Sequence, residues 1–392
     1  MRGLINGEAS QGKPSVASVG IQNLRMNPHH SLLFSPIRVG AIDAKNRIFM
    51  APLTRCRATP GSDAPNAMIA EYYGQRASAG IIVSEATQVL ATGKGYVGTP
   101  GIYSAEHEAG WKLATAAVHA KSGKIVAQLW HVGAISHPDL QPDHALPVTA
   151  STGYNPGGTI YTQHGKQERV AARGLETAEV KEYIEAYRHA AEVAKRAGFD
   201  GVEIHSANGY LLEQFIRDSS NKRIDEYGGT IENRIRFTLD VVDAAISVWG
   251  KARVGIRLSP VTAANNATPD SNTQATYGTL VEALAARGIA FVHFIEGNTG
   301  GARDLTGFDF AWAKRTLTAA GVVYVANNKY DRAMAIDAIA HGAADVIAFG
   351  VPFIANPDLP DRLMRDAPLN PANPKTFYSA GPEGYTDYPT LI

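Results

Sequence analysis

Eight short apolar runs, each continuous rather than alternating, constrain this chain more than any other feature. They are Ile48–Leu53, Ile81–Gln88, Ile125–His131, Gly201–His205, Val254–Leu258, Phe291–Ile295, Val322–Ala326 and Val346–Phe349. A β-branched run without polar alternation is a strand buried on both faces, the condition of a parallel sheet covered by helices. The stretches between the runs supply that cover. Ala178–Ala197 sets Val180, Ile184, Tyr187, Ala191 and Ala194 along one stripe, with Glu, Lys and Arg opposite. Glu232–Trp249, Thr273–Arg287 and Asp331–His341 follow similar logic. Gly198, Gly288, Gly321 and Gly342 stand where helix exits want a C-cap. Strands that each lead into a helix predict a single (β/α)8 barrel of the α/β class. A doubly wound sheet is disfavoured, because no G-x-G-x-x-G follows the first strand. Ser136–Glu176, rich in Pro, Gly, Thr and His, becomes a long excursion after strand three, on the face where barrels build active sites.

Composition narrows the class of partner. Basic and acidic side chains balance at 37 each, so no net field draws nucleic acid or anionic membrane, and a small molecule is the expected partner. No apolar run approaches the roughly 18 residues that span a bilayer. The single cysteine, Cys56, excludes an internal disulfide or a cysteine-rich metal site and fits a reducing compartment, with the cytoplasm expected. Residues 1–30 have neither an amphipathic period nor an apolar core. They are expected to form a disordered leader rather than a secretory signal, with the barrel over residues 31–392. Met26 stands just before the first folded-looking segment and is an alternative start, while Arg2, Lys13 and Arg25 are too sparse for a basic targeting arm.

Polar and aromatic residues collect where the strands end. Strand one ends in Pro52-Leu53-Thr54, and strand three carries Gln128 and ends in Trp130-His131. Strand four runs into His205, Asn208 and Tyr210. Strand five ends in Arg257, strand seven in Asn327-Asn328-Lys329, and strand eight in Gly350-Val351. Two neutral donors at His205 and Asn208 could hold a carbonyl or phenolate oxygen, and Tyr210 could supply a proton. A strand-end histidine bonded to backbone, with a tyrosine packed as core, is the plainer reading of the same residues. Arg257 suits an anionic ring edge such as that of a reduced flavin, Gln128 a pyrimidine edge, and Thr54 the region of N5 and C4=O. Another planar electron acceptor would satisfy the same groups. A zinc site is not expected, since His131 and His137 lack the spacing that sets two imidazoles on one metal.

Taken in order, the motifs resemble the Old Yellow Enzyme family from about Leu33 to Tyr388. They read NRIFMAPLTR (46–55), EYYGQRASAGIIVSEAT (71–87), AQLWHVGAISH (127–137), FDGVEIHSANGYLLEQF (199–215) and YGGTIENRIRF (227–237). GIRLSP (255–260), EGNTGG (296–301), IANPDLPDRL (354–363) and EGYTDYP (383–389) follow. The resemblance implies an FMN-dependent reductase of activated C=C bonds in α,β-unsaturated carbonyls, with nitro compounds a further class. NADPH or NADH would serve as reductant, in a monomer or small homo-oligomer. Pro52, Leu53, Thr54 and Ala86 would line the flavin, with Thr54 tuning its potential, and Gln128 and Arg257 would bind its pyrimidine edge. Asn327, Asn328, Lys329, Gly350 and Val351 would stand at its phosphate. His205 and Asn208 would grip the substrate oxygen, and Tyr210 would protonate the α-carbon after hydride reaches the β-carbon from flavin N5. Trp130 and Tyr378 would wall the substrate pocket.

Three positions depart from the family pattern. Phe349-Gly350-Val351 stands where Phe-Gly-Arg is usual, and the arginine reaches the FMN phosphate. Asn327-Asn328-Lys329 replaces a glycine-rich turn. Ala134 interrupts Trp-His-x-Gly-Arg, which implies a looser loop. Losing one charge-assisted phosphate contact implies FMN affinity lower by about 10- to 100-fold, with Lys329 as compensating charge and partial loss of flavin on purification. Two alternatives follow: a flavin-binding pseudoenzyme, and a Schiff-base lyase with Lys329 as nucleophile.

Overall fold

The computed structural model describes residues 31–391, so the leader expected over residues 1–30 lies outside the described residues. Eight parallel strands close into a barrel in chain order: β1 (Ile48–Met50), β2 (Ile81–Gln88), β3 (Ile125–Trp130), β4 (Gly201–Ser206), β5 (Val254–Leu258), β6 (Phe291–Ile295), β7 (Val323–Asn327) and β8 (Val346–Phe349). The last pairs back onto the first. The expected barrel is therefore the observed one, with shifts at strand ends. β1 stops at Met50 rather than Leu53, because Pro52 has no N–H to give the ladder; the final rung is the Ala51 N–H to Phe349 O at 2.9 Å. β3 ends one residue early at Trp130, β4 one late at Ser206, and β7 is displaced by one so that Asn327 closes it.

Helices α1 (Ala67–Gln75), α2 (Ala105–His119), α3 (Thr177–Arg196), α4 (Leu211–Ile216), α5 (Ile231–Trp249), α6 (Thr273–Arg287), α7 (Phe310–Ala319) and α8 (Arg332–Ala340) return the chain between strands or follow them. The four helices read from periodicity agree to within one residue at each end. Asp331 proves to be a cap rather than the first residue of α8, its side chain accepting from the Met334 N–H. The four glycines expected at helix exits all take positive φ. Among the described residues no helix is long and apolar enough to cross a membrane.

Two layers of core hold the barrel. The outer layer packs helix faces against the sheet. The inner one fills the lower barrel with Phe49, Val126, Phe291, Val325 and Ala348, and the hairpin Ile37–Val39/Ile42–Ala44 plugs its N-terminal end. Phe291 crosses the floor because β5 has glycine beside it; a Cβ at Gly255 would stand 2.2 Å from the ring. Above this floor the register changes the interior from apolar to polar. Gln128 lies beside Glu203, His205 beside Arg257, and Arg257 beside His293. The excursion after β3 folds into two 3-10 turns, a short parallel pair (Val148–Thr149 with Arg173–Gly174) and a hairpin (Thr159–Thr162 with Gly165–Glu168).

Candidate active site

One cavity of about 1180 Å³ opens at the C-terminal mouth of the barrel, and every site residue named from the sequence lines it. The β4–α4 turn brings His205, Asn208 and Tyr210 together there. Asn208 adopts φ +61°, a conformation asparagine tolerates, and its N–H bonds Ser259 Oγ at 2.8 Å. Ser259 Oγ in turn donates to Glu213 Oε1 at 2.7 Å. Glu213 is fully buried and also receives Tyr277 Oη at 2.7 Å and Arg217 Nη2 at 3.0 Å, so a satisfied ionic network underlies the turn. Thr299 Oγ1 donates to Asn208 Oδ1 at 2.6 Å, which leaves the Asn208 amide nitrogen as its donor toward the cavity. His205 Nδ1 is buried without a protein partner. Burial first, then the nearby Arg257 and His293, hold the His205 imidazole well below its usual pKa, so the ring is neutral. Tyr210 meets His205 edge to face at 5.1 Å and Trp130 likewise at 5.1 Å.

On the adjoining flank, β3 to β7 carry a second buried network. Gln128 Nε2 donates to Glu203 Oε1 at 2.7 Å, and Glu203 Oε2 meets His293 Nδ1 at 2.8 Å, with both side chains wholly buried and the imidazole pKa lowered by that burial. The Gln128 amide is thereby oriented with its carbonyl oxygen left for a ligand. Arg257 Nη2 donates to Asn327 Oδ1 at 2.9 Å, while its Nε has no partner. Burial lowers Arg257 to about 10, with Glu203 opposing, and the guanidinium stays charged at neutral pH. Pro52, Leu53, Thr54 and Ala86 form the wall beside these groups.

The mouth beyond β7 and β8 is built differently. Asn328 and Lys329 take φ of +113° and +52°, so two side-chain-bearing residues occupy backbone that favours glycine. Asn328 secures this conformation through Nδ2, which donates to Glu296 O at 2.8 Å and Asn298 O at 3.0 Å. Lys329 and Val351 are exposed, and Gly350 leads from β8 directly into the short helix that Val351 begins.

Residues 32–370 match the NADH:flavin oxidoreductase / NADH oxidase family. The chain belongs to that family. It is 39% identical over 368 residues to 12-oxophytodienoate reductase 1 of Oryza sativa subsp. japonica, covering 92% of this chain and 93% of that protein. It is 40% identical over 365 residues to a probable flavin mononucleotide-dependent alkene reductase of Leishmania infantum, covering 92% and 98%. The solved old yellow enzyme homologue from Zymomonas mobilis superposes with a TM-score of 0.85 at 42% identity, covering 92% and 99%. The Old Yellow Enzyme resemblance read from the motifs therefore stands, and FMN is the family's cofactor. The residues present fit it: a buried arginine Nε without a partner, a glutamine with one oriented carbonyl, and an apolar wall. A Schiff-base lyase finds no support. Lys329 sits at the exposed rim of this flavin-family site, three strands round the barrel from His205.

Several residues that shape the site escaped the sequence reading. Glu203 lies inside an apolar run, where a charged side chain is itself a signal of a buried partner. Glu213 lies in a six-residue helix too short for periodicity. Arg55 and Arg57 reach across the chain to the C-terminal segment: Arg55 Nε and Nη2 donate to Phe377 O and Gly384 O at 3.0 and 2.7 Å, and Arg57 Nε to Gly381 O at 2.9 Å. That strap sets Tyr378 at the cavity edge, where it is 68% exposed. The turn at Ala134 is held rather than loosened, its N–H bonded to Gln214 Oε1 at 3.1 Å. His131 is buried, its ring nitrogens meeting Gly133 N and Thr92 Oγ1. Among the described residues no cluster of three His, Cys, Asp or Glu is placed to hold a metal.

Proposed function

We propose that this chain is an FMN-dependent ene-reductase that uses NAD(P)H to reduce the activated C=C bond of α,β-unsaturated carbonyl compounds. The observation that carries the reading is the convergence of two neutral donors, His205 and Asn208, beside Tyr210 in a cavity of the flavin family. FMN, when bound, supplies the hydride. Gln128 and Arg257 would hold the ring's pyrimidine edge, and Arg257 would offset negative charge there. His205 and Asn208 bind the substrate carbonyl oxygen and meet the charge that grows on it as the β-carbon is reduced. Preorganised donors of this kind each lower a barrier by about 2.7–4 kcal/mol. Tyr210 gives its phenolic proton to the α-carbon. Trp130 and Tyr378 bound the space for the substrate, and the buried wall around them limits water at the reacting carbons.

Lys329 takes the cofactor's phosphate charge in place of the arginine replaced at Val351, and FMN affinity is lower for it. The single cysteine and the balanced charge support a cytoplasmic protein acting on small molecules. An anaerobic spectral cycle tests the activity. The holoprotein is expected to bleach near 450 nm with NADPH and to recover its colour on addition of 2-cyclohexenone. Holoprotein that bleaches but is not reoxidised by enones would overturn the assignment.

A further inference from the structure

Tyr210 must break its O–H bond, pass the proton to the substrate α-carbon where a C–H bond forms, and keep the electron pair as a buried phenolate. Burial opposes this charge and pushes the phenol's pKa up. The phenolate is therefore the species that needs partners, and three groups outside the catalytic trio surround it. Tyr96 Oη lies 3.1 Å from Tyr210 Oη. Burial and the neighbouring Tyr210 push the Tyr96 phenol well above its usual value; either hydroxyl can donate while both are protonated, and once Tyr210 gives up its proton only Tyr96 can. Asn265, in the loop after β5, packs against the turn that carries Tyr210: a Cβ built at Gly209 would stand 3.7 Å from its Cβ. Its Nδ2 donates to Asn208 O at 3.0 Å, and its Oδ1 receives Arg169 Nη2 at 3.1 Å, so the amide orientation is fixed. Gly209, at φ +75°, allows this approach: a Cβ there would lie 2.8 Å from the Ala267 methyl carbon and 3.1 Å from Ala264 O. Arg169 belongs to the excursion after β3. It has a buried Nε without a partner, and no carboxylate pairs with it among the described residues.

We infer that Tyr96, Asn265 and Arg169 form a positioning group that stabilises the Tyr210 phenolate after proton donation, so that the excursion after β3 delivers charge to the proton-transfer step. The inference rests on the reading of Tyr210 as proton donor. Tyr96 donates to the phenolate directly. Asn265 ties the Arg169 guanidinium to the Asn208-Gly209-Tyr210 turn and so brings positive charge toward the phenolate, and a proton from solvent restores Tyr210 once product leaves. The titratable and charged groups facing Tyr210 are Tyr96, Arg169, His205, Arg257 and Tyr378, and the two guanidinium groups are the cations among them.

The test uses holoenzyme labelled with ring-13Cζ tyrosine, the Tyr210 resonance being identified by its loss in Tyr210→Phe. Tyr96→Phe and Arg169→Met are each expected to raise the pKa of Tyr210 in the NMR titration, with Arg169→Lys close to the parent. Reoxidation by a weakly activated enone is expected to slow by about 10- to 100-fold in Tyr96→Phe, as for a lost bond to a charged group. Reduction by NADPH is expected to be unchanged. An unmoved Tyr210 titration in both Tyr96→Phe and Arg169→Met, while Tyr210→Phe slows reoxidation, overturns the inference and leaves the proton-donor reading intact. If Tyr210→Phe itself reoxidises at the parent rate, the proton-donor reading fails and the inference fails with it.

Discussion

The two ends of the cavity hold their groups in opposite ways. At the β4 end, His205, Asn208 and Tyr210 stand on a turn pinned by buried Ser259, Glu213 and Arg217, with Thr299 bonded from the exposed edge. At the β7–β8 end, Asn328 and Lys329 hold a strained backbone, Lys329 reaches into solvent, and Val351 is half exposed. Chemistry on a carbonyl needs donors fixed before the charge appears, so that end tolerates little drift. A phosphate held at the rim, as proposed, would be solvated whether or not an arginine met it, so substitution there would change affinity and leave geometry alone. Two of the three departures from the family pattern fall at the second end; the third, Ala134, lies in the turn after β3 and leaves His205, Asn208 and Tyr210 in place.

The sharpest way to break this contrast is to attack the support beneath each end. Glu213→Ala would leave Arg217 buried and unpaired, a loss of about 3–5 kcal/mol of stability. Lys329→Met, an exposed change, is expected to alter stability by less than about 0.5 kcal/mol. Urea unfolding of the two variants checks the difference, and equal midpoints would erase it.

The donors come next in size. His205→Ala or Asn208→Ala is expected to lower kcat/KM for 2-cyclohexenone by about 100-fold or more. Neither change is expected to shift the FMN dissociation constant by more than a few-fold. Fluorescence titration of flavin alongside steady-state kinetics separates the two effects.

Between the ends, Glu85 on β2 adds a pH signature. Burial pushes its carboxyl up from 4.5 to about 7, against hydrogen bonds from the Arg55 N–H and Tyr73 Oη. The folded state then holds more protons than the unfolded chain between those two values, so stability falls as pH rises through that window. The loss amounts to about 3 kcal/mol. Glu85→Gln is expected to flatten it, as thermal melts from pH 4.5 to 8 would reveal.

How legible the molecule was in its sequence follows the same physics. Continuous apolar runs announce strands buried on both faces, so all eight were readable, and ends drifted only where Pro52 or a single residue decides. The rim residues were readable because strand ends point them into one mouth. Glu203 stands out as a charge inside an apolar run, but its role depends on Gln128 and His293, partners 75 and 90 residues away. The contact of Tyr96 with Tyr210 spans 114 residues and leaves no periodic trace. The excursion has no repeating pattern at all, since its shape is set by local bonds such as Arg169 to Asn265. The arginine strap over Tyr378 is a tertiary device of the same kind.

The smallest effect bears most directly on the separation of the two ends. Val351→Arg is expected to tighten FMN by about 10- to 100-fold, and Lys329→Met to loosen it by about tenfold or less, its charge being exposed and screened. The deciding measurement is turnover of 2-cyclohexenone with NADPH across an FMN titration of the flavin-depleted parent and its Val351→Arg variant. The account predicts one kcat for both at saturating FMN, reached at a lower FMN concentration in the variant. A parent that stays inactive at saturation, or a variant with a higher plateau, would contradict the claim that the carbonyl-gripping end is complete and only the phosphate grip is weakened.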